Sequence, residues 1–155
     1  RQHGGKTGVP AFVVVASSLA LVIFGIVPTT VEAQTQTVRD ELNSVPFSEA
    51  RLTQLRDQGK PVFLYLTADW CLTCKVNEAT SLSAGSVASA VKASGVTVMR
   101  GDWTRQDPAI SAFLKAHGRA GVPLYLWYPA GGGEAKELPQ VLTPGLIVET
   151  VRQRT

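Results

Sequence analysis

The stretch GKPVFLYLTADWCLTCKVNE, Gly59 to Glu78, decides the fold. Gly59 and Pro61 stop whatever precedes it. Val62 to Thr67 (VFLYLT) is an apolar run of strand length, and Ala68-Asp69 ends it. A helix is expected from Cys71. Cys71 and Cys74 are the two cysteines of the chain. Two cysteines placed at random in a chain of this length fall three apart only about once in eighty trials, so the spacing is informative. Where a strand ends and a helix opens, unpaired backbone N–H groups and the helix dipole favour a thiolate over a thiol. Residues i and i+3 share a helix face. The second thiol can therefore attack a mixed disulfide formed at the first and close a short, reducible ring. This reading makes Cys71 the nucleophile and Cys74 the resolving thiol. Two other readings stay open. A structural disulfide would close so short a loop that it adds little stability. A zinc site needs about four ligands, and His3 and His117 are the only histidines, so it would have to be shared between chains.

Outward from this stretch the pattern is regular. Phe47 to Gln58 reads as a helix with Ser48 as N-cap and Leu52 and Leu55 on one face. Ser83 is the expected cap of a helix from Ala84 to Ala93, ended by Gly95, with a strand from Val96 to Arg100 after it. Asp107-Pro108 opens a helix to His117. Leu124 to Tyr128 is a strand, Ala130 to Gly133 a turn, Ala135 to Leu138 a short strand, and Thr143-Pro144 starts a last helix to about Arg152. Strands alternating with helices, then a hairpin and a helix, describe an α/β domain with a mixed central sheet of about four strands flanked by helices.

The chain has 155 residues, 45% hydrophobic and 17% charged, which excludes disorder and collagen-like structure. Its mean hydropathy of +0.09 is high for a soluble domain. Most of the excess lies in VPAFVVVASSLALVIFGIVP, Val9 to Pro28, which carries no charge. At about 1.5 Å per residue a helix of this length just covers a hydrocarbon core of about 30 Å. Arg1 and Lys6 precede it and Glu32 follows, so the positive-inside rule puts the N-terminus in the cytoplasm. A secretory signal ending at Val31-Glu32-Ala33 is the rival reading, and a buried core helix is a third. The expected organisation is a cytoplasmic flank over 1–8, a transmembrane helix or uncleaved signal anchor over 9–28, a polar linker over 29–45, and a globular domain over 46–155. A net charge of +3 could suggest an anionic partner, but basic and acidic residues are interspersed after Ala33, so no nucleic acid is expected. Trp103, Trp127 and His117 read as structural. No phosphate loop or flavin signature is present, so the expected cofactor is none beyond the Cys71–Cys74 disulfide.

Taken together, Phe47-Ser48 with Leu52 and Leu55, Gly59 to Glu78, GDWTRQDPAI (Gly101 to Ile110) and GVPLYLWYPAGG (Gly121 to Gly132) resemble the thioredoxin superfamily. The resemblance is closest to the C-terminal periplasmic domain of membrane thiol:disulfide interchange proteins of the DsbD type. It covers about Pro46 to Arg154 and implies a thioredoxin-like fold following a membrane span, in a fragment of a longer protein. It also implies roles for individual residues. Val122-Pro123 matches the superfamily's cis-proline, which presents backbone to a substrate peptide and discourages metal capture. Trp70 matches the aromatic residue before the first cysteine, with Asp69 and Lys75 as supporting neighbours. Glu78 matches a carboxylate thought to raise the thiol pKa. Tyr65 departs from the pattern, because the family carries a buried aspartate six residues before the first cysteine. Leu72-Thr73 replaces the thioredoxin Gly-Pro.

The resulting expectation is a protein-disulfide reductase tethered to the bacterial inner membrane, with its catalytic domain in the periplasm. Electrons would arrive from a membrane donor domain with its own cysteine pair. They would leave to periplasmic thiol/disulfide proteins, in disulfide isomerisation, cytochrome c maturation or copper-stress defence. An exported thiol oxidase of the same fold and a non-enzymatic copper-binding module are the alternatives.

Overall fold

The computed structural model describes residues 42–153. The expectations for 1–8, 9–28 and the linker up to residue 41 lie outside these residues. Among the described residues no helix is long and apolar enough to cross a membrane.

The sheet is built around β2, Val62–Thr67, in which every residue is buried. The strand order is β1-β3-β2-β4-β5, where β1 is Val45–Pro46, β3 Thr97–Asp102, β4 Leu124–Tyr128 and β5 Lys136–Glu137. β1 and β2 run parallel to β3, whereas β4 is antiparallel to β2 and β5 to β4. Helices cover both faces: α1 (Glu49–Asp57), α2 (Leu72–Asn77), α3 (Gly85–Ser94), α4 (Pro108–Ala116) and α5 (Pro144–Arg152). A strand buried on both faces has no reason to alternate polar and apolar residues, which is why VFLYLT reads as a continuous run. Its side chains nonetheless divide by parity. Phe63 and Tyr65 enter a core with Val87, Val91, Ile147 and Val151. Val62, Leu64 and Leu66 enter another with Leu52, Ile110, Phe113 and Leu114.

The sheet has five strands rather than about four. The additional one, β1, is two residues long and pairs Val45 with Met99 and Pro46 with Arg100. Two residues carry no period, and a proline at a sheet edge mimics a linker. Ser48, Asp107 and Thr143 cap α1, α4 and α5 through their side chains. Ser83 does not cap α3: its hydroxyl donates instead to the Ala79 carbonyl, and Ala84 occupies the cap with no side-chain bond. A π-helical turn, Glu78–Leu82, continues α2 and absorbs that serine. β3 extends past Arg100 through Gly101, where a Cβ would collide with the Leu66 side chain and press on Phe47 and Ile110. Any larger residue there must displace the Leu66 side chain, so the close packing of β3 on β2 and α4 favours glycine.

Candidate active site at the end of the central strand

β2 ends at Thr67, and after Ala68, Asp69 and Trp70 the chain reaches the cap of α2. Cys71 is the N-cap of that helix, in extended backbone, and its Sγ accepts the Cys74 N–H at 3.2 Å. Cys71 and Cys74 form a disulfide with their Cα atoms 5.2 Å apart. Both cysteines are buried, Cys71 at 7% exposed and Cys74 at 0%. A small apolar cluster of Ala68, Cys71 and Cys74, with Val122 packed against it, surrounds the pair. The Val122–Pro123 peptide is cis. The structure therefore brings the Cys-X-X-Cys turn and the Val122-Pro123 loop together.

The charged residues flanking the cysteines form one chain. Lys75 Nζ donates to Asp69 Oδ1 at 2.8 Å and to Glu78 Oε2 at 3.2 Å. Burial alone would lower the Lys75 pKa, but the hydrogen bonds to Asp69 and Glu78, with their charges, more than reverse this and hold it above its ordinary value. Glu78 is itself buried, and its Oε1 accepts the Thr67 hydroxyl at 2.6 Å. Glu78 thus stands where α2 passes into the π-helical turn, with a hydroxyl donor on one oxygen and an ammonium on the other. Trp70 lies largely in the open, its Nε1 donating to the Thr104 carbonyl at 3.1 Å and its ring 5.8 Å from that of Trp103. The Asp69 N–H donates to the Thr104 hydroxyl, so the loop after β3 holds the turn before the cysteines.

Tyr65 is buried in the sheet opposite Tyr125 on β4. Tyr125 is pushed up to about 12 by burial, which the hydrogen bond from Asn77 opposes and the Glu78 charge reinforces. It therefore stays protonated at ordinary pH and offers no negative charge beneath the helix. His117 caps α4, with Nδ1 2.9 Å from the Phe113 carbonyl oxygen. Trp127 is buried in the core. Among the described residues no three of His, Cys, Asp and Glu are grouped to hold a metal ion.

Three supporting residues escaped the sequence reading. Thr67 ends an apolar run and reads as a strand residue, although its hydroxyl meets Glu78. Thr104 reads as loop. Asn77, one residue before Glu78, is 1% exposed. Its amide donates to the Tyr125 hydroxyl at 2.8 Å and the Gln140 carbonyl at 2.7 Å, and its oxygen accepts the Leu142 N–H at 3.1 Å. The only signal in the sequence was a polar residue on a helix whose neighbours need burial.

Comparison with known proteins agrees with this geometry. The sequence model described as thioredoxin-like matches residues 43–130. A thiol:disulfide interchange protein DsbD of Pseudomonas aeruginosa is 36% identical over 90 residues, 58% of this chain and 15% of that protein. DsbD of Klebsiella pneumoniae is 35% identical over 107 residues, 69% of this chain and 17% of that protein. The chain thus spans about a sixth of the length of these curated relatives. The crystal structure of the oxidised C-terminal domain of Neisseria meningitidis DsbD superposes with a TM-score of 0.57 at 26% identity, covering 72% of this chain and all of that domain. The matched region contains β1 to β4, both cysteines and the cis-proline loop, and the chain belongs to the thioredoxin-like family.

Proposed function

We propose that the domain over 46–155 is a protein-disulfide reductase. The observation that carries this reading is the placement of the cysteine pair: Cys71 caps the helix and keeps a small residual exposure, while Cys74, one turn on, is fully buried. In the reduced form the Cys74 N–H stabilises charge on Cys71 Sγ. The Cys71 thiolate attacks a partner disulfide, forming one S–S bond and releasing one partner thiolate, which takes up a proton. Cys74 then loses its proton and attacks Cys71 Sγ, closing the Cys71–Cys74 disulfide and releasing the second partner thiol. Two electrons and two protons pass to the partner, and a reduced cysteine pair on a donor must restore the dithiol. Glu78, joined to Lys75 and Thr67 and one helical turn after Cys74, is the group assigned to the second deprotonation. Val122-Pro123 offers backbone to the incoming peptide, and Trp70 shields one side of the turn.

The DsbD relatives support a setting for this chemistry. Residues 9–28 tether the domain to the bacterial inner membrane, the domain faces the periplasm, a membrane domain with its own cysteine pair donates the electrons, and periplasmic thiol/disulfide proteins receive them. No organic cofactor is required. The test is equilibration with glutathione buffers of known poise. A potential below about −200 mV, with dithiothreitol-dependent turnover of a protein disulfide, fits a reductase, whereas a value near about −120 mV fits the exported oxidase instead.

A further inference from the structure

Asp102 ends β3, and the two residues after it are bonded one by one to the stretch that leads from β2 to Cys71. The Trp103 N–H donates to the Thr67 carbonyl at 2.8 Å. The Asp69 N–H donates to the Thr104 hydroxyl at 2.9 Å, and Trp70 Nε1 donates to the Thr104 carbonyl at 3.1 Å. Asp102 fixes the sense of the middle contact. The Thr104 hydroxyl gives its one proton to Asp102 Oδ1 at 2.5 Å, and the same oxygen accepts the Thr104 N–H at 2.9 Å. A hydroxyl whose proton is already committed turns its lone pairs to Asp69. The segment also meets the other wall of the site. A Cβ on Gly121 would stand 3.6 Å from the Trp103 ring, and Trp103 and Val122 pack against the same core cluster. Trp103 Nε1 is anchored to the Ser111 hydroxyl at 2.8 Å, and Val122 packs against the cysteines as well.

We infer that Thr104 is a positioning residue for disulfide exchange with protein substrates: its hydroxyl, oriented by Asp102, sets the Cys71 turn in register with the Val122-Pro123 loop. The inference deepens the exchange reading and rests on it. A disulfide carried on a peptide has to meet two places at once, Cys71 Sγ and the backbone of the cis-proline loop. Those places come from remote parts of the chain, and the segment of Trp103 and Thr104 touches both. A misplacement of about 1 Å between them costs a peptide its alignment with the sulfur, whereas a small reagent needs the sulfur alone. Thr104→Val keeps the side-chain shape and the backbone carbonyl but removes the acceptor for Asp69 and the donor to Asp102. Thr104→Ser keeps both.

The test compares the full chain with its Thr104→Val and Thr104→Ser variants in dithiothreitol-coupled reduction of insulin and in alkylation of the reduced Cys71 thiol by iodoacetamide. The valine variant is expected to lose about fivefold in kcat/KM for insulin, the scale of one hydrogen bond. The serine variant should stay within about twofold of wild type on insulin, and alkylation should stay within about twofold in both, because the small reagent does not use the register. A valine variant as fast as wild type on insulin, valine and serine variants equally slow, or equal losses of insulin reduction and alkylation would each overturn the inference. Amide hydrogen exchange of the wild-type chain tests the clamp even where the valine variant does not fold: the Asp69 N–H should exchange at least about tenfold more slowly than in an unstructured peptide, and exchange at the unstructured rate overturns the inference. A wild-type chain that does not reduce insulin refutes the exchange reading itself while leaving the Asp69 amide to report on the clamp, so the two failures are distinguishable.

Discussion

Replacing Asn77 by alanine tests whether the buried amide holds the active-site helix to the last turn of chain before α5. Three hydrogen bonds are lost, to the Tyr125 hydroxyl, the Gln140 carbonyl and the Leu142 N–H. They do not weigh equally. Gln140 is exposed, so water replaces the amide at its carbonyl. Tyr125 and Leu142 are only 2% and 4% exposed, so their polar groups lose a partner that water cannot supply. An orphaned buried group costs ~1–3 kcal/mol, so two of them, with Ser81 still holding Leu142, set the loss at about 3 kcal/mol. With a urea m-value of about 1.5 kcal/mol/M for a domain of this size, the midpoint falls by about 2 M at constant slope. Urea unfolding of the oxidised protein, followed by tryptophan fluorescence, measures it. A midpoint shift under about 0.5 M with unchanged slope refutes the claim that this amide carries the attachment.

Other expectations follow from single contacts. Thr67→Val keeps the shape of the strand but removes the hydroxyl that meets Glu78 at 2.6 Å, and thermal unfolding at pH 7 should show a loss of about 2 kcal/mol, the range for a hydrogen bond to a charged group. Gly101→Ala places a methyl against the Leu66 side chain and Phe47, and chemical unfolding should show a loss of about 1–3 kcal/mol, as for other overpacked sites. Asp102 gives a pH signature: burial alone would raise its pKa, but hydrogen bonds from Thr104 and the charges of Arg100 and Lys75 hold it below its ordinary 3.8. Because the folded value is depressed, its contribution is present above 3.8 and disappears as the pH falls through the folded value. Asp102→Asn should therefore unfold at lower temperature than wild type at pH 7, and the gap should shrink below pH 3.8; a gap independent of pH contradicts the assignment.

The parts of the fold legible in the sequence are those with local causes. Ser48, Asp107 and Thr143 announce their helices because a cap is a bond between a side chain and a backbone amide two or three residues away. β2 is legible because burial on both faces demands an unbroken apolar run. The cysteine pair is legible because its chemistry is set by spacing and by the strand-to-helix turn. β1 was hidden because its two residues become a strand only by pairing with Met99 and Arg100. Ser83 misled for a related reason, since a serine before a helix also follows the turn behind it, and the π-helical turn claimed its hydroxyl. The supports of the site were hidden more completely. Thr67 and Glu78, or Asn77 and Leu142, are polar pairs joined across the fold, and no local pattern says that a strand threonine meets a helix carboxylate. Tyr65 shows the opposite case. Its identity is plain from the sequence, and its meaning comes from the sheet, which sets it against Tyr125.

The central claim is the division of labour between the two sulfurs, and trapping tests it most directly. A Cys74→Ala chain, reduced and then mixed with oxidised insulin, should accumulate a mixed disulfide that peptide mapping places at Cys71, while Cys71→Ala should accumulate little, because Cys74 is enclosed. Equal trapping by both variants, or a mixed disulfide formed mainly through Cys74, would contradict the account.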